Sequence, residues 1–549
     1  MMRFAAPLIL LLSVVAPATA QTGIRLPPPS VLQAALQAAP QAPVPVPVAR
    51  TDSRPRVALT LEEAVKRALD QNLDIAVQRI NQQTYDVTLA SLRSVYSPTL
   101  NSTVASQTTK NASNSTISGA QTTGATITSG TMNFNGSLNQ QVPWHGGSFA
   151  ATLNNSRQTT TSLNALYNPS YTPNWSANYT QPLLRNFSID STRQQLLVTR
   201  INQEISDIQL QQTITNTMAN VRNAYWDYVF AVQSVETSKQ SLALAEELLR
   251  NNQTKVQIGT MAPIDVVQAQ SQAAAQRQAL VTAEGTMRTA EIALKRLIVS
   301  GTTDPYWTSA IDPVDRPDFR PEPIDVGAAT QRALAARTDV MQAKKNLEAN
   351  ALTMKLLENQ TLPQADFTTR YAVTGQGGTS YLTEGNGVNR VVIGIVPGGY
   401  GDALSQLLKQ KLPTWSFALN MSYPMGMSAA KASIARAKIQ QNQIDVQLKL
   451  LDLQVTSDVS NAAVQVQNSA ERVGAAQSAR DLAQQQLDAE NSKFSVGMST
   501  NFQVVQAQRD LATARNNELQ AILAYRRALV EFERVQQTGN AGNITVISR

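Results

Sequence analysis

Residues 255–270, KVQIGTMAPIDVVQAQ, return at 493–508 as KFSVGMSTNFQVVQAQ, an offset of 238 with seven of sixteen positions identical. The identities include Gly259 with Gly497 and the run Val266–Gln270 with Val504–Gln508. A chain that repeats a segment builds one structural unit twice, so fold and function are read per half. At the same offset Ile201, Asp207, Gln209 and Leu210 fall on Ile439, Asp445, Gln447 and Leu448. The starts of the halves align as well: Arg67-Ala68-Leu69 matches Arg332-Ala333-Leu334, Asp74 matches Asp339, and Pro98 matches Pro363. The expected organisation is a first repeat over 57–299, a linker over 300–323, a second repeat over 324–537 and a tail over 538–549.

The start, MMRFAAPLILLLSVVAPATA, reads as a secretory leader over 1–20, with Arg3, an apolar stretch and the small-residue end Ala18-Thr19-Ala20. Residues 21–56 read as a Pro-rich linker. The chain holds no Cys, which excludes disulfides, thiol catalysis, thiolate metal sites and a lipid anchor on Cys. No segment beyond the leader suits a membrane-spanning helix. The formal charge of +7 is modest for 549 residues and no basic run interleaves with aromatics, so no nucleic-acid partner is expected.

Each half predicts the order helix, strand region, long helix, tip, helix. Thr60 and Glu63 form a capping box that opens a helix running to about Tyr96. From about 193 to 257, Ile214, Met218, Val221, Tyr225, Tyr228, Val232 and Val235 recur in steps of four and three, the 3.5-residue period of coiled-coil packing. A helix of that length spans roughly 98 Å. The segments 60–96 and 264–298 are each about half as long and stack end to end beside it. Their junction, the linker and the tail form a belt at mid-height.

Between about 98 and 182, and between 363 and 424, the period becomes two. Trp415, Phe417, Leu419, Met421 and Tyr423 alternate with Ser416, Ala418, Asn420 and Ser422, and Trp175, Ala177 and Tyr179 alternate with Ser176, Asn178 and Thr180. Strands apolar on one face and polar on the other, with aromatics near their ends, suit a membrane barrel. The expected lipid face and aromatic girdle are Trp175, Tyr179, Trp415, Phe417 and Tyr423. Two strands per half give four per chain, too few to close alone, so the chain must oligomerise. The stretches 131–141 and 147–158 also alternate and read either as further barrel strands or as an accessory hairpin; 111–130 and 375–400 read as external loops. The fold class is therefore mainly α with a transmembrane β-barrel section, in duplicated helix–strand pair–long helix–helix units.

This order, the LTLEEAVKRALDQN opening and the tips Ile258-Gly259 and Val496-Gly497 resemble the TolC-type outer-membrane efflux protein family over residues 57–537. The resemblance implies a homotrimer with a twelve-stranded barrel in outer-membrane lipid over a periplasmic α-helical tunnel. It implies a passive exit duct for efflux or type I secretion, fed by an inner-membrane pump of RND, ABC or MFS type through a periplasmic adaptor (membrane fusion) protein. Carried over by position, Gly259, Thr260, Met261, Gly497, Met498 and Ser499 are the adaptor-docking tips, and Asp265, Gln268, Gln503 and Gln506 line the entrance constriction. The best-known members carry two Asp three apart in the second tip helix, where this chain has Gln503 and Gln506. A neutral, amide-lined constriction with at most an Asp265 ring is expected in place of a cation-binding acidic one.

No enzyme is expected and no cofactor or metal. The single His, His145, lies in a PWHGG turn, no catalytic constellation recurs in both halves, and the tip glycines lack the phosphate-loop spacing. The alternative is a soluble periplasmic coiled-coil structural or adaptor protein; two hairpins and membrane-type strands weigh against it.

Overall fold

The computed structural model describes residues 54–113, 119–120, 124–316, 319–321, 323–385, 391–423, 425 and 429–537. The expected leader 1–20, most of the linker 21–56 and the tail 538–549 lie outside these residues. The first half runs β1 (Arg56–Leu59), α1 (Leu61–Gln71), α2 (Leu73–Ser94), β2 (Thr99–Ala112), β3 (Thr126–Gln141), β4 (Ser148–Thr160), β5 (Tyr167–Pro182), α3 (Ser191–Gln257) and α4 (Pro263–Ile298). A short α5 (Pro305–Thr308) and β6 (Ala310–Pro313) follow. The second half runs α6 (Val326–Ala336), α7 (Thr338–Gln360), β7 (Gln364–Thr374), β8 (Gly377–Glu384), β9 (Val391–Val396), α8 (Tyr400–Leu408), β10 (Pro413–Ser422), α9 (Ala429–Ser495) and α10 (Asn501–Gln536).

The duplication is exact in helix length: α3 and α9 each have 67 residues, and α4 and α10 each have 36. At 1.5 Å per residue the long helices reach about 100 Å. The helix expected over 60–96 is two helices. Asn72 takes an extended conformation and its Oδ1 accepts from the N–H groups of Asp74 and Ile75, ending α1 and capping α2. The second half breaks at the matching place, Arg337, whose guanidinium pairs with Asp339 at 2.6 Å and Asp458 at 2.9 Å. Those carboxylates hold the Arg337 proton more tightly than usual, against the opposing effect of burial.

Both breaks are where helices stack. Asn72 Nδ2 donates to the carbonyl of Leu297, at the end of α4. Arg332 donates to Gln536 at 2.9 Å, and the Thr338 N–H donates to Gln537 Oε1 at 3.1 Å, at the end of α10. Each half thus has one continuous column and one column of stacked pieces. Around the first junction Leu59, Val221, Tyr225, Leu294, Ile298 and Ile311 form a buried cluster. There β1 pairs in parallel with β6. Fully buried Tyr225 donates to the carbonyl of Leu59 (3.0 Å) or to Asp315 (2.8 Å), and Asp315 also accepts from the Leu61 N–H at 2.7 Å. Burial first, and the Asp315 carboxylate second, push the Tyr225 hydroxyl well above its ordinary value.

The long strands form one antiparallel sheet in the order β10–β7–β5–β4–β3–β2, with β8 continuing on β5 beyond β7, and β9 beside β8. Four sheet strands per chain were expected, with 131–141 and 147–158 read either as further strands or as an accessory hairpin; the sheet has six long ones, because β3 and β4 pair with their neighbours along nearly their whole length. Part of the expected loops is also strand: β3 starts at Thr126, and β8 and β9 lie within 375–400.

Register settles the two faces. Leu100, Val104, Phe134, Leu138, Phe149, Leu153, Trp175, Tyr179, Phe367, Tyr371, Trp415, Phe417 and Leu419 fall on one face across all six strands. The opposite face is built mainly of Asn, Ser, Thr, Gln and Ala (Asn101, Asn133, Asn154, Asn178, Thr368 and Asn420 among them), and its charged members on the six long strands are Asp366 and Arg370.

Candidate functional site: the paired hairpin tips

The sequence repeat folds into two helical turns of the same construction. At the end of α3, Gly259 takes φ +80°. Its N–H donates to the carbonyl of Val256 at 3.0 Å, and the Thr260 N–H donates to that of Lys255 at 2.9 Å. At the end of α9, Gly497 takes φ +78°, its N–H donating to Phe494 at 3.3 Å and the Met498 N–H to Lys493 at 2.8 Å. These are Schellman caps, in which a left-handed glycine satisfies carbonyls that the helix end leaves free. Pro263 then starts α4 at a position where the missing N–H costs nothing. Thr260, Gly497 and Met498 are exposed; Met261 and Ser499 are half-buried.

The two tips pack against each other. Leu248 of α3, Leu487 of α9 and Val504, Val505 and Leu511 of α10 share a buried cluster. Asn252 Nδ2 donates to Asn501 Oδ1 at 2.8 Å, both residues being buried, and Asn501 Nδ2 donates to the carbonyl of Asp265 at 3.3 Å. The Lys255 ammonium sits 4.0 Å over the Phe494 ring, a cation–π contact from one tip to the other. Sequence reasoning missed this interlock. Its signal was available: Asn252 continues the Leu242, Ala245, Leu249 seam, and an amide on a coiled-coil seam fixes register.

The expected constriction residues do not bond one another within the chain. Asp265 lies in the first turn of α4 and is half-buried, with Gln268 exposed one turn on. Gln503 accepts from the Ser499 hydroxyl at 2.8 Å, and Gln506 donates to Asp510 at 2.9 Å. The second tip is therefore not purely an amide surface. Asp510 stands one turn above Gln506, and the Ser499 hydroxyl has a second acceptor in Glu490 at 2.6 Å. The Lys493 ammonium, with Ser499, holds the Glu490 carboxyl below the usual range. Among the described residues no His, Cys, Asp and Glu cluster could hold a metal ion.

At the far end, register puts Trp175, Tyr179, Trp415 and Phe417 on the apolar sheet face, and Tyr423 lies exposed just beyond β10. The Tyr371 ring packs against Trp175 and Trp415, with ring centres 5.3 and 4.3 Å apart.

A duplicated helical hairpin carrying a two-faced sheet is an arrangement with known relatives. The sequence profile described as "Outer membrane efflux protein" matches residues 144–299 and 329–535. The chain belongs to the outer membrane efflux protein family. No curated protein matches it in sequence. Solved structures similar to this family member include the outer-membrane channel OprN (14% identity, TM-score 0.58, covering 87% of this chain and 90% of that one). Another is the CmeC outer membrane channel of Campylobacter jejuni (14% identity, TM-score 0.60, 87% and 86% covered). A third is the outer membrane protein VceC of Vibrio cholerae (12% identity, TM-score 0.59, 87% and 95% covered). At these identities the likeness is one of fold.

Proposed function

We propose that this efflux-family chain is a passive exit duct. Three copies associate, their sheets closing a barrel in outer-membrane lipid and their helices a tunnel in the periplasm. The observation that carries the reading is the pairing, in one chain, of a sheet with one apolar and one neutral polar face and two equal hairpins whose capped tips lie together at the other end. An inner-membrane pump hands cargo to the tunnel through a periplasmic adaptor that docks on Gly259, Thr260, Met261, Gly497, Met498 and Ser499. The approach to the lumen is lined by Asp265, Gln268, Gln503 and Gln506, and cargo moves without chemistry or cofactor.

Support for the tip role comes from its rigidity and exposure. The Schellman caps and the Asn252–Asn501 bond fix the shape of a surface on which Thr260, Gly497 and Met498 stand exposed. A photoreactive side chain at Thr260 or Met498 is expected to cross-link the adaptor encoded with the pump. Loss of the chain is expected to make cells retain the pump's substrate. A protein recovered free in the periplasm, with no outer-membrane fraction, overturns the reading.

A further inference from the structure

Among the described residues the sheet has two free edges. One is β2, whose 14 residues are exposed throughout. The other is β10, of ten residues, continued outward by the six of β9, because β8 extends β7 along β5 and β9 lies outside β8. Unpaired N–H and C=O groups cannot face hydrocarbon, so both edges need partners. β9 adds a second reason: its residues VVIGIV are almost wholly exposed, an apolar edge that invites pairing. The two edges also match in length, β2 against β10 plus β9. Six strands is an even number, so β2 and β10 run in opposite directions and a second copy's β2 meets β10 antiparallel.

The width of the sheet decides what is built. Strands about 4.8 Å apart, tilted about 40°, each occupy roughly 6.3 Å of circumference, so six take about 38 Å. The chain supplies four helical columns, and at 8–10 Å each they take about 36 Å. Four strands would cover only about 25 Å by the same rule. The hairpin β3–β4, whose register continues the apolar face with Phe134, Leu138, Phe149 and Leu153, therefore brings the sheet to the full arc of the columns beneath it.

We infer that β2 of each copy pairs with the β10–β9 edge of the next, and that three copies close an eighteen-stranded barrel rather than the twelve-stranded one implied by family resemblance. This rests on the trimeric duct proposed above. Barrel diameter grows about linearly with strand number, so the lumen is about half again as wide as twelve strands allow. The duct then passes through the membrane without narrowing, lined by a neutral Asn/Ser/Thr surface suited to bulky, polar or mixed cargo.

The absence of Cys makes the test direct. Ala105→Cys on β2 is combined in turn with Ser416→Cys, Ala418→Cys or Asn420→Cys on β10, all on the polar face. Oxidation is expected to give a ladder ending at a covalent trimer for at least one pair. In planar bilayers, deleting residues 126–160 is expected to lower the diameter of the largest neutral polymer that enters from the outer face to about two thirds of the full-length value, the ratio of twelve to eighteen strands. If that variant does not insert, cross-linking of the full-length chain decides alone. A ladder that stops at dimer, a link within one copy, links from β10 to Asn154→Cys on β4, or no β2–β10 link in an assembled trimer overturns the inference and leaves the duct standing. A full-length protein that never forms a trimer sinks the duct reading itself.

Discussion

Replacing Gly497 by alanine isolates the backbone contribution of one tip. A Cβ there meets nothing within 4 Å, so the change adds no clash. What remains is φ +78°, a conformation that costs an L-residue about 1–2 kcal/mol. Alanine recovers about 0.4–1 kcal/mol by restricting the unfolded chain, which leaves a net loss of about 1 kcal/mol. That is roughly a fivefold shift toward the open turn. The Gly497 and Met498 amides report it, since they donate to Phe494 and Lys493. Hydrogen exchange on the detergent-solubilised protein is expected to quicken about fivefold over 493–499, and to stay unchanged over α3 above residue 248. Gly497→Asn, which tolerates the left-handed region, loses less, and Gly497→Val loses more. If all three variants exchange alike, or valine is the mildest, conformation is not what the glycine supplies.

Tyr225→Phe strips the buried hydroxyl from the Leu59 carbonyl and Asp315, costing about 1–3 kcal/mol; protection at 56–61 and 310–315 should fall while that of the tips holds. Glu490 has a depressed folded-state pKa, so its contribution is complete above the ordinary Glu value and fades as pH falls through the lowered one. Protection at the second tip, taken relative to the intrinsic exchange rate at each pH, should therefore fall on acidification through that window, and Glu490→Gln should abolish that change in protection. Gln506→Asp places a carboxylate one turn from Asp510; single-channel recordings should then show block by multivalent cations at much lower concentration than in the parent, and unchanged block would place this stripe away from the ion path.

The repeat and the two helix lengths were legible because they are properties of local sequence: a 3.5-residue period and paired Gly punctuation survive without any knowledge of partners. The breaks at Asn72 and Arg337 were not, since the apolar pattern runs through them and only a stacked helix end gives the Asn72 amide and the Arg337 guanidinium something to bind. The hairpin β3–β4 alternates visibly, but whether it belongs to the wall depends on register with β2 and β5, which is set by long-range pairing. β9 was hidden for the opposite reason: VVIGIV does not alternate, and it sits among glycines. At the tips the caps were readable from Gly259 and Gly497. The acids Glu490 and Asp510 were not, because each acts through a neighbour one turn away or across a turn.

In the duct proposed above, the polar face of the sheet, whose charges among the described residues of the six long strands are Asp366 and Arg370, has a consequence for the cell that carries it. A broad passage whose two kinds of fixed charge cancel favours neither anions nor cations overall, and it offers a sugar or a peptide many weak hydrogen bonds. Such an opening is a breach in the envelope's permeability barrier unless something else shuts it. Under the proposed function, discrimination and closure then fall to the two capped turns about 100 Å away, where a few amides and acids would guard what the wall cannot.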